Sequence, residues 1–70
     1  MRRDRIDTAG AVTLRHDSRL HKIKVGRAHA GVRVVMLVAG LDIRIVSEDG
    51  ELLRVLTLDP TRSYQPLGNL

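Results

Sequence analysis

Residues 11–25, AVTLRHDSRLHKIKV, decide how this chain folds. From Ala11 to Arg15, small or aliphatic side chains alternate with polar ones, so an extended strand carries Val12 and Leu14 on one side and Thr13 and Arg15 on the other. His16-Asp17-Ser18-Arg19 interrupts that alternation with residue types that turn a chain, and LHKIKV resumes it. Setting Arg15 opposite Leu20 brings Leu14 to His21, Val12 to Ile23, Thr13 to Lys22 and Ala11 to Lys24. Aliphatic partners then share the inner face and polar ones the outer, whereas a slip of one residue would send the inner set into water. The pattern therefore predicts an antiparallel hairpin with Arg15, Lys22 and Lys24 outward together and Arg19 at its tip.

Downstream of the hairpin, Val25 to Gly31 is a segment bracketed by glycines, which either turns a corner or aims amide groups and Arg27 at an anion. VRVVMLVAG follows, apolar on both sides and rich in valine, and predicts the central strand. LDIRIV alternates again, and Glu48-Asp49-Gly50 has the glycine that a three-residue hairpin loop requires. That loop pairs Ser47 with Glu51, Val46 with Leu52, Ile45 with Leu53, Arg44 with Arg54 and Ile43 with Val55. Arg44 and Arg54 would then face each other, as a secondary anion site or as a solvated pair.

The last strand ends near Leu58. Residues 59–70 read as a tail that packs on the rest, with Tyr64, the single aromatic side chain, seated as core or, alternatively, stacked on a base. Upstream, residues 1–10 alternate charges and end on a turn signal, as a linker or an edge strand would. Five short strands over residues 11–58 without a convincing helix predict an all-β fold, a small five-stranded antiparallel SH3-like barrel. An OB-type barrel needs more chain and a helix and comes second.

Charge is distributed unevenly along the 70 residues, whose net charge is +4. The first half carries nine Arg and Lys against three Asp, and the second three Arg against five acids. Within Arg15 to Arg33 stand Arg15, Arg19, Lys22, Lys24, Arg27 and Arg33 with all three histidines and one acid, Asp17. Such density is what gripping a polyanion requires. Absence of cysteine excludes disulfides and thiolate metal ligands and fits a reducing cytoplasm, where a DNA partner would make the chain nucleoid-associated. No apolar run reaches the roughly 20 residues of a membrane-spanning helix.

Catalysis finds little support. Ser18, His16, His21 and Asp17 crowd one hairpin tip, whereas a triad needs its members on separate rigid elements beside an oxyanion hole. Asp42, Glu48, Asp49 and Glu51 read as solvating acids around a turn. The histidines do not suggest zinc: His21 reads as a core-edge residue, and His16 and His29 as polar loop residues. The expectation is no catalytic residue, no metal and no cofactor. One aromatic side chain is too few for a polyproline groove or a single-strand stacking platform, which leaves backbone recognition of a duplex by Arg and Lys.

From about Asp7 to Pro66 the chain resembles the C-terminal region of insertion-sequence transposases of the retroviral-integrase-like superfamily, with LHKIKVGRAHAG and LTLDPTRSYQP as the most specific parts. The resemblance implies a small SH3-like barrel that helps bind transposon-end or target DNA. The acidic metal-binding triad of that family lies in a preceding domain and has no counterpart here. Arg15, Arg19, Lys22, Lys24, Arg27 and Arg33 are the expected DNA contacts on grounds of register and charge. The other reading is an interaction module whose outward Leu20, Val35 and Leu37 dock on a transposase catalytic domain or a second copy, and structured RNA is a third partner with the same electrostatics.

Overall fold

The computed structural model describes residues 2–67; Met1 and the last three residues of the expected tail lie outside them. The fold is all-β, with strand making up 56% of the described residues and almost no helix among them. Strands β1 (Arg2–Arg5), β4 (Arg33–Ala39), β5 (Asp42–Ser47) and β6 (Leu52–Thr57) form one sheet in the order β1-β4-β5-β6. Strands β2 (Ala11–His16), β3 (Arg19–Lys24) and β7 (Tyr64–Gln65) form a second, in the order β2-β3-β7. The only other regular element among the described residues is a single 3-10 turn, Arg27–His29.

The expectation of five strands in one barrel is corrected: among the described residues seven strands divide between two sheets, neither of which closes into a barrel. Both additions come from outside the expected barrel segment. The N-terminal residues extend along β4 as an edge strand, with Arg3 opposite Val35 and Arg5 opposite Arg33. Near the other end, Tyr64 and Gln65 add a short parallel strand to β3, opposite Lys22 and Ile23.

The inner faces of the two sheets share one core. Val12, Leu14 and Ile23 come from the hairpin sheet, Val34, Met36, Ile43 and Ile45 from the larger sheet, and Ile6, Val25 and Leu58 from the segments between. Alternation explains the choice, because each of these strand residues is two positions from its inward neighbour. Burying such a set contributes roughly 1.5–3 kcal/mol per large aliphatic side chain, which offsets the ordering entropy of a short chain.

β2 and β3 pair in the register that alternation predicts, from Ala11 opposite Lys24 to Arg15 opposite Leu20. Their loop has only two residues, Asp17 (φ 50°) and Ser18 (φ 64°). Positive φ at both positions belongs to a type I′ turn, whose twist matches that of the flanking strands. β4 lies between β1 and β5, as its apolar content predicts, yet its second face is open: Leu37 is exposed and Val35 half-buried.

At the β5–β6 hairpin the three-residue loop forms as expected, with Ser47 N–H donating to the Glu51 carbonyl at 2.8 Å and Gly50 at φ 93°. Val46 pairs with Leu52, but Ile45 then pairs with Arg54 and Arg44 with Val55, leaving Leu53 as the extra residue of a bulge. The predicted pairing of Arg44 with Arg54 is thereby overturned. The bulge allows Leu53 to pack against the core and separates two guanidinium groups that a regular ladder would hold opposite each other.

Candidate nucleic-acid interface

The outer face of the hairpin sheet follows from its register. Cross-strand partners share a face, so Thr13 and Arg15 of β2 stand with Leu20, Lys22 and Lys24 of β3 on the side turned away from the core. Tyr64 joins them, because in the parallel β3–β7 pair it is the partner of outward Lys22, whereas Gln65 is the partner of buried Ile23. The tyrosine is 47% exposed and Gln65 only 5%, which corrects the expectation that Tyr64 fills the core.

Two of these cations lean on the turn that precedes β2. Lys22 Nζ lies 4.0 Å from Asp7 Oδ2, both half-exposed, and Lys24 Nζ donates to the Ala9 carbonyl. Asp7 itself is tied to that turn by Ala9 N–H and Ala11 N–H, each 2.9 Å from Oδ1. These bonds, led by the one from Ala11, hold its carboxyl below the usual range, with help from Lys22 and Lys24 and against some desolvation. Asp7 is the one carboxylate that pairs with the face, and no ion pair engages Arg15 among the described residues. Three cations and an aromatic ring on one exposed sheet can hold a polyanion by its charges and offer one flat surface to a ring.

Gly10 anchors the next residue of the patch. Its carbonyl accepts from Val25 N–H at 2.7 Å and Gly26 N–H at 2.9 Å, pinning the start of the 3-10 turn on which exposed Arg27 stands. The glycines thus act mainly as corner-turners, and Arg27 stands three residues beyond the end of β3.

The remaining expected contacts are not on this face. Arg19 is the partner of His16, so it shares the side of Leu14 and His21, and its Nη1 reaches the Pro60 carbonyl at 3.4 Å. Arg33 lies on the outer face of the other sheet, opposite Arg5 and near Arg3, with the two sheets packed back to back through the core. Arg44 is exposed on that same larger sheet. Arg54 is turned toward main-chain acceptors: Nη1 donates to the Lys24 carbonyl and to that of Gln65, and Nη2 to that of Pro66 at 2.7 Å. Burial lowers its pKa, opposed by the Tyr64 phenol, and its work is to tie β6 to β3 and β7.

The segment after β6 is rigidly built. Buried Gln65 accepts from Asp59 N–H at 3.0 Å and donates to the Asp59 and Arg62 carbonyls at 2.9 and 2.8 Å. His21 is buried as well, and its Nδ1 lies 2.8 Å from the Arg62 carbonyl, which requires the proton on Nδ1. His21 therefore belongs to the core and not to its edge. Asp59 Oδ1 accepts from Thr61 Oγ1 and N, which hold its carboxyl low, assisted by Arg62 and His21 against desolvation.

Sequence reasoning missed Tyr64 and Arg62 as exposed neighbours of the hairpin, and Arg3 and Arg5 as companions of Arg33. No sequence signal gives the outward direction of Tyr64, because a two-residue strand has no periodicity to show which of its residues faces the core. Comparison with protein-family models, with characterised proteins and with solved structures finds no match for this chain.

Proposed function

We propose that this chain is a non-catalytic DNA-binding domain that grips the duplex backbone through the outer face of β2 and β3, in the manner of the C-terminal SH3-like barrel of an integrase-like transposase. The observation that carries the reading is the common outward direction of Arg15, Lys22 and Lys24, with Arg27 beyond them and one carboxylate, Asp7, in contact. Phosphate contact by such cations needs no deep cleft and reads little sequence. Further support comes from the resemblance of LHKIKVGRAHAG and LTLDPTRSYQP to that transposase region.

Four phosphate contacts give a slope of log K against log salt of about −4, and roughly 10⁻⁴–10⁻⁶ M affinity at physiological salt. Binding of a labelled duplex is measured across a salt series for the natural chain and for Lys22→Ala combined with Lys24→Ala. The double variant is expected to bind more weakly with a slope of about −2. A flat salt dependence in the natural chain overturns the reading.

The open face of the larger sheet favours a second reading. Leu37, Leu52 and Val55 are exposed there beside half-buried Val35 and Val46, which suits a module docked on a catalytic domain or a second copy. Sedimentation at rising concentration separates a self-associating module from a monomeric binder.

A further inference from the structure

At the end of the hairpin sheet a hollow opens between β3 and the segment that leads into β7, lined by Arg19, Thr61, Arg62, Ser63, Tyr64 and Pro66. Its floor is preorganised. Gln65 and His21, both buried, hold the Asp59 and Arg62 carbonyls in place, so the loop carries Arg62 and Tyr64 on a fixed backbone. Its lining thus combines two arginines, two hydroxyl residues, a tyrosine and a proline.

The two arginines keep donors free. Arg19 spends Nη1 on the Pro60 carbonyl at 3.4 Å, and Arg62 faces Asp59 Oδ2 through Nε at 3.7 Å. Each guanidinium has five N–H groups, so most of its bonding capacity remains. Asp59 lies beside the hollow, but its Oδ1 is occupied by Thr61. Two cations against one carboxylate leave the hollow cationic. Tyr64 is the hinge of the arrangement, since it belongs both to this hollow and, as the partner of Lys22, to the outer face of β3.

We infer that the hollow takes one unstacked nucleotide of a single-stranded DNA tail, its base against the Tyr64 ring and its phosphate between Arg19 and Arg62, while the adjoining duplex lies along Arg15, Lys22 and Lys24. This inference rests on the DNA-binding reading and deepens it, from a duplex to a duplex with a frayed or recessed end. Stacking supplies what the hairpin cations cannot, because every base has a π-face and an aromatic side chain accepts it with little regard to sequence. It also gives a role to Arg19, which the fold separates from the outward cations of the hairpin.

The test compares three labelled DNAs by anisotropy: a blunt duplex, the same duplex with a short single-stranded tail, and that tail made of abasic nucleotides. The natural chain should bind the tailed duplex about 5- to 150-fold more tightly than the abasic-tailed one. Tyr64→Ala should abolish that difference and Tyr64→Phe preserve it, each read as the ratio of the two tailed affinities within one variant. Arg62→Ala should weaken the tailed and abasic-tailed duplexes alike. Tyrosine fluorescence reads the site directly, because Tyr64 is the chain's single Tyr, Trp or Phe, and the tail should quench it more than the abasic tail does.

Equal affinity for the base-containing and abasic tails, or a Tyr64→Ala variant that keeps the difference, overturns the inference while blunt-duplex binding leaves the broader reading standing. Tail binding that depends on Tyr64 without any blunt-duplex binding does the reverse. A ribonucleotide tail held more tightly than its deoxy counterpart reassigns the strand to RNA and overturns the proposal as stated.

Discussion

Replacing Gly10 with alanine strains the corner on which the two halves of the hairpin sheet's edge depend. Gly10 has φ +83°, and a Cβ there would meet the Gly26 carbonyl carbon and Arg27 nitrogen at 2.5 Å. Both of these are backbone atoms, so no side chain can rotate aside. The left-handed conformation costs a non-glycine residue about 1–2 kcal/mol. Forcing two main chains apart adds about 1–3 kcal/mol, as overpacking does in well-packed interiors. Together these amount to about 2–5 kcal/mol, against roughly 4–10 kcal/mol for a domain of this length. Gly40→Ala supplies the control, because Gly40 also has positive φ (+61°) but nothing lies within 4 Å of an added Cβ. Urea unfolding followed by far-ultraviolet circular dichroism should show Gly10→Ala losing at least about 1 kcal/mol more than Gly40→Ala. Equal losses would refute the close approach of the two main chains. A gain of about 0.4–1 kcal/mol, as at a permissive glycine, would refute the geometry altogether.

Three further outcomes follow from the same structure. Asp7→Asn keeps the Oδ1 acceptor for Ala9 and Ala11 while removing the charge beside Lys22; duplex affinity should rise about twofold to fivefold, and a fall would count against the hairpin face. Gln65→Leu leaves the Asp59 N–H and carbonyl without their partner and the Arg62 carbonyl with His21 alone, and chemical denaturation should show a loss of about 2–4 kcal/mol. Asp7 and Asp59 both have lowered pKa values, so their contribution is complete above the unfolded-state pKa of about 4 and disappears as pH falls through the folded values; the midpoint of thermal unfolding should fall in that acid window, and less so in Asp7→Asn.

How far the sequence reveals the fold depends on whether one face of a strand is polar. In AVTLRH and RLHKIK the alternation has a single acceptable register, and that register occurs. In LLRVLT, aliphatic residues stand at both parities, so a ladder shifted by one residue past Leu53 is as acceptable to the pattern as a regular one, and the bulge is invisible. The same blindness hid the role of Arg54, whose carbonyl partners lie 11 to 30 residues away. Short partners are equally hard to read: RRDR has no hydrophobic side to mark it as a strand, and Tyr64–Gln65 is too brief for any periodicity. For the candidate site, Arg15, Lys22 and Lys24 were legible because their outward direction follows from local alternation. Arg19 was not, since a two-residue turn makes it a paired residue of the inner parity in place of a loop tip. Arg33 was not, because proximity in sequence to the hairpin says nothing about which sheet its strand joins.

Backbone-amide chemical shifts recorded during addition of a short duplex test the assignment of the binding face most directly. Shifts should concentrate on residues of β2 and β3 whose side chains point outward, Thr13, Arg15, Leu20, Lys22 and Lys24, with Arg27 and Tyr64, and should fade as salt is raised. Shifts confined to β1 and β4 around Arg3, Arg5 and Arg33 would contradict it and move the interface to the opposite sheet.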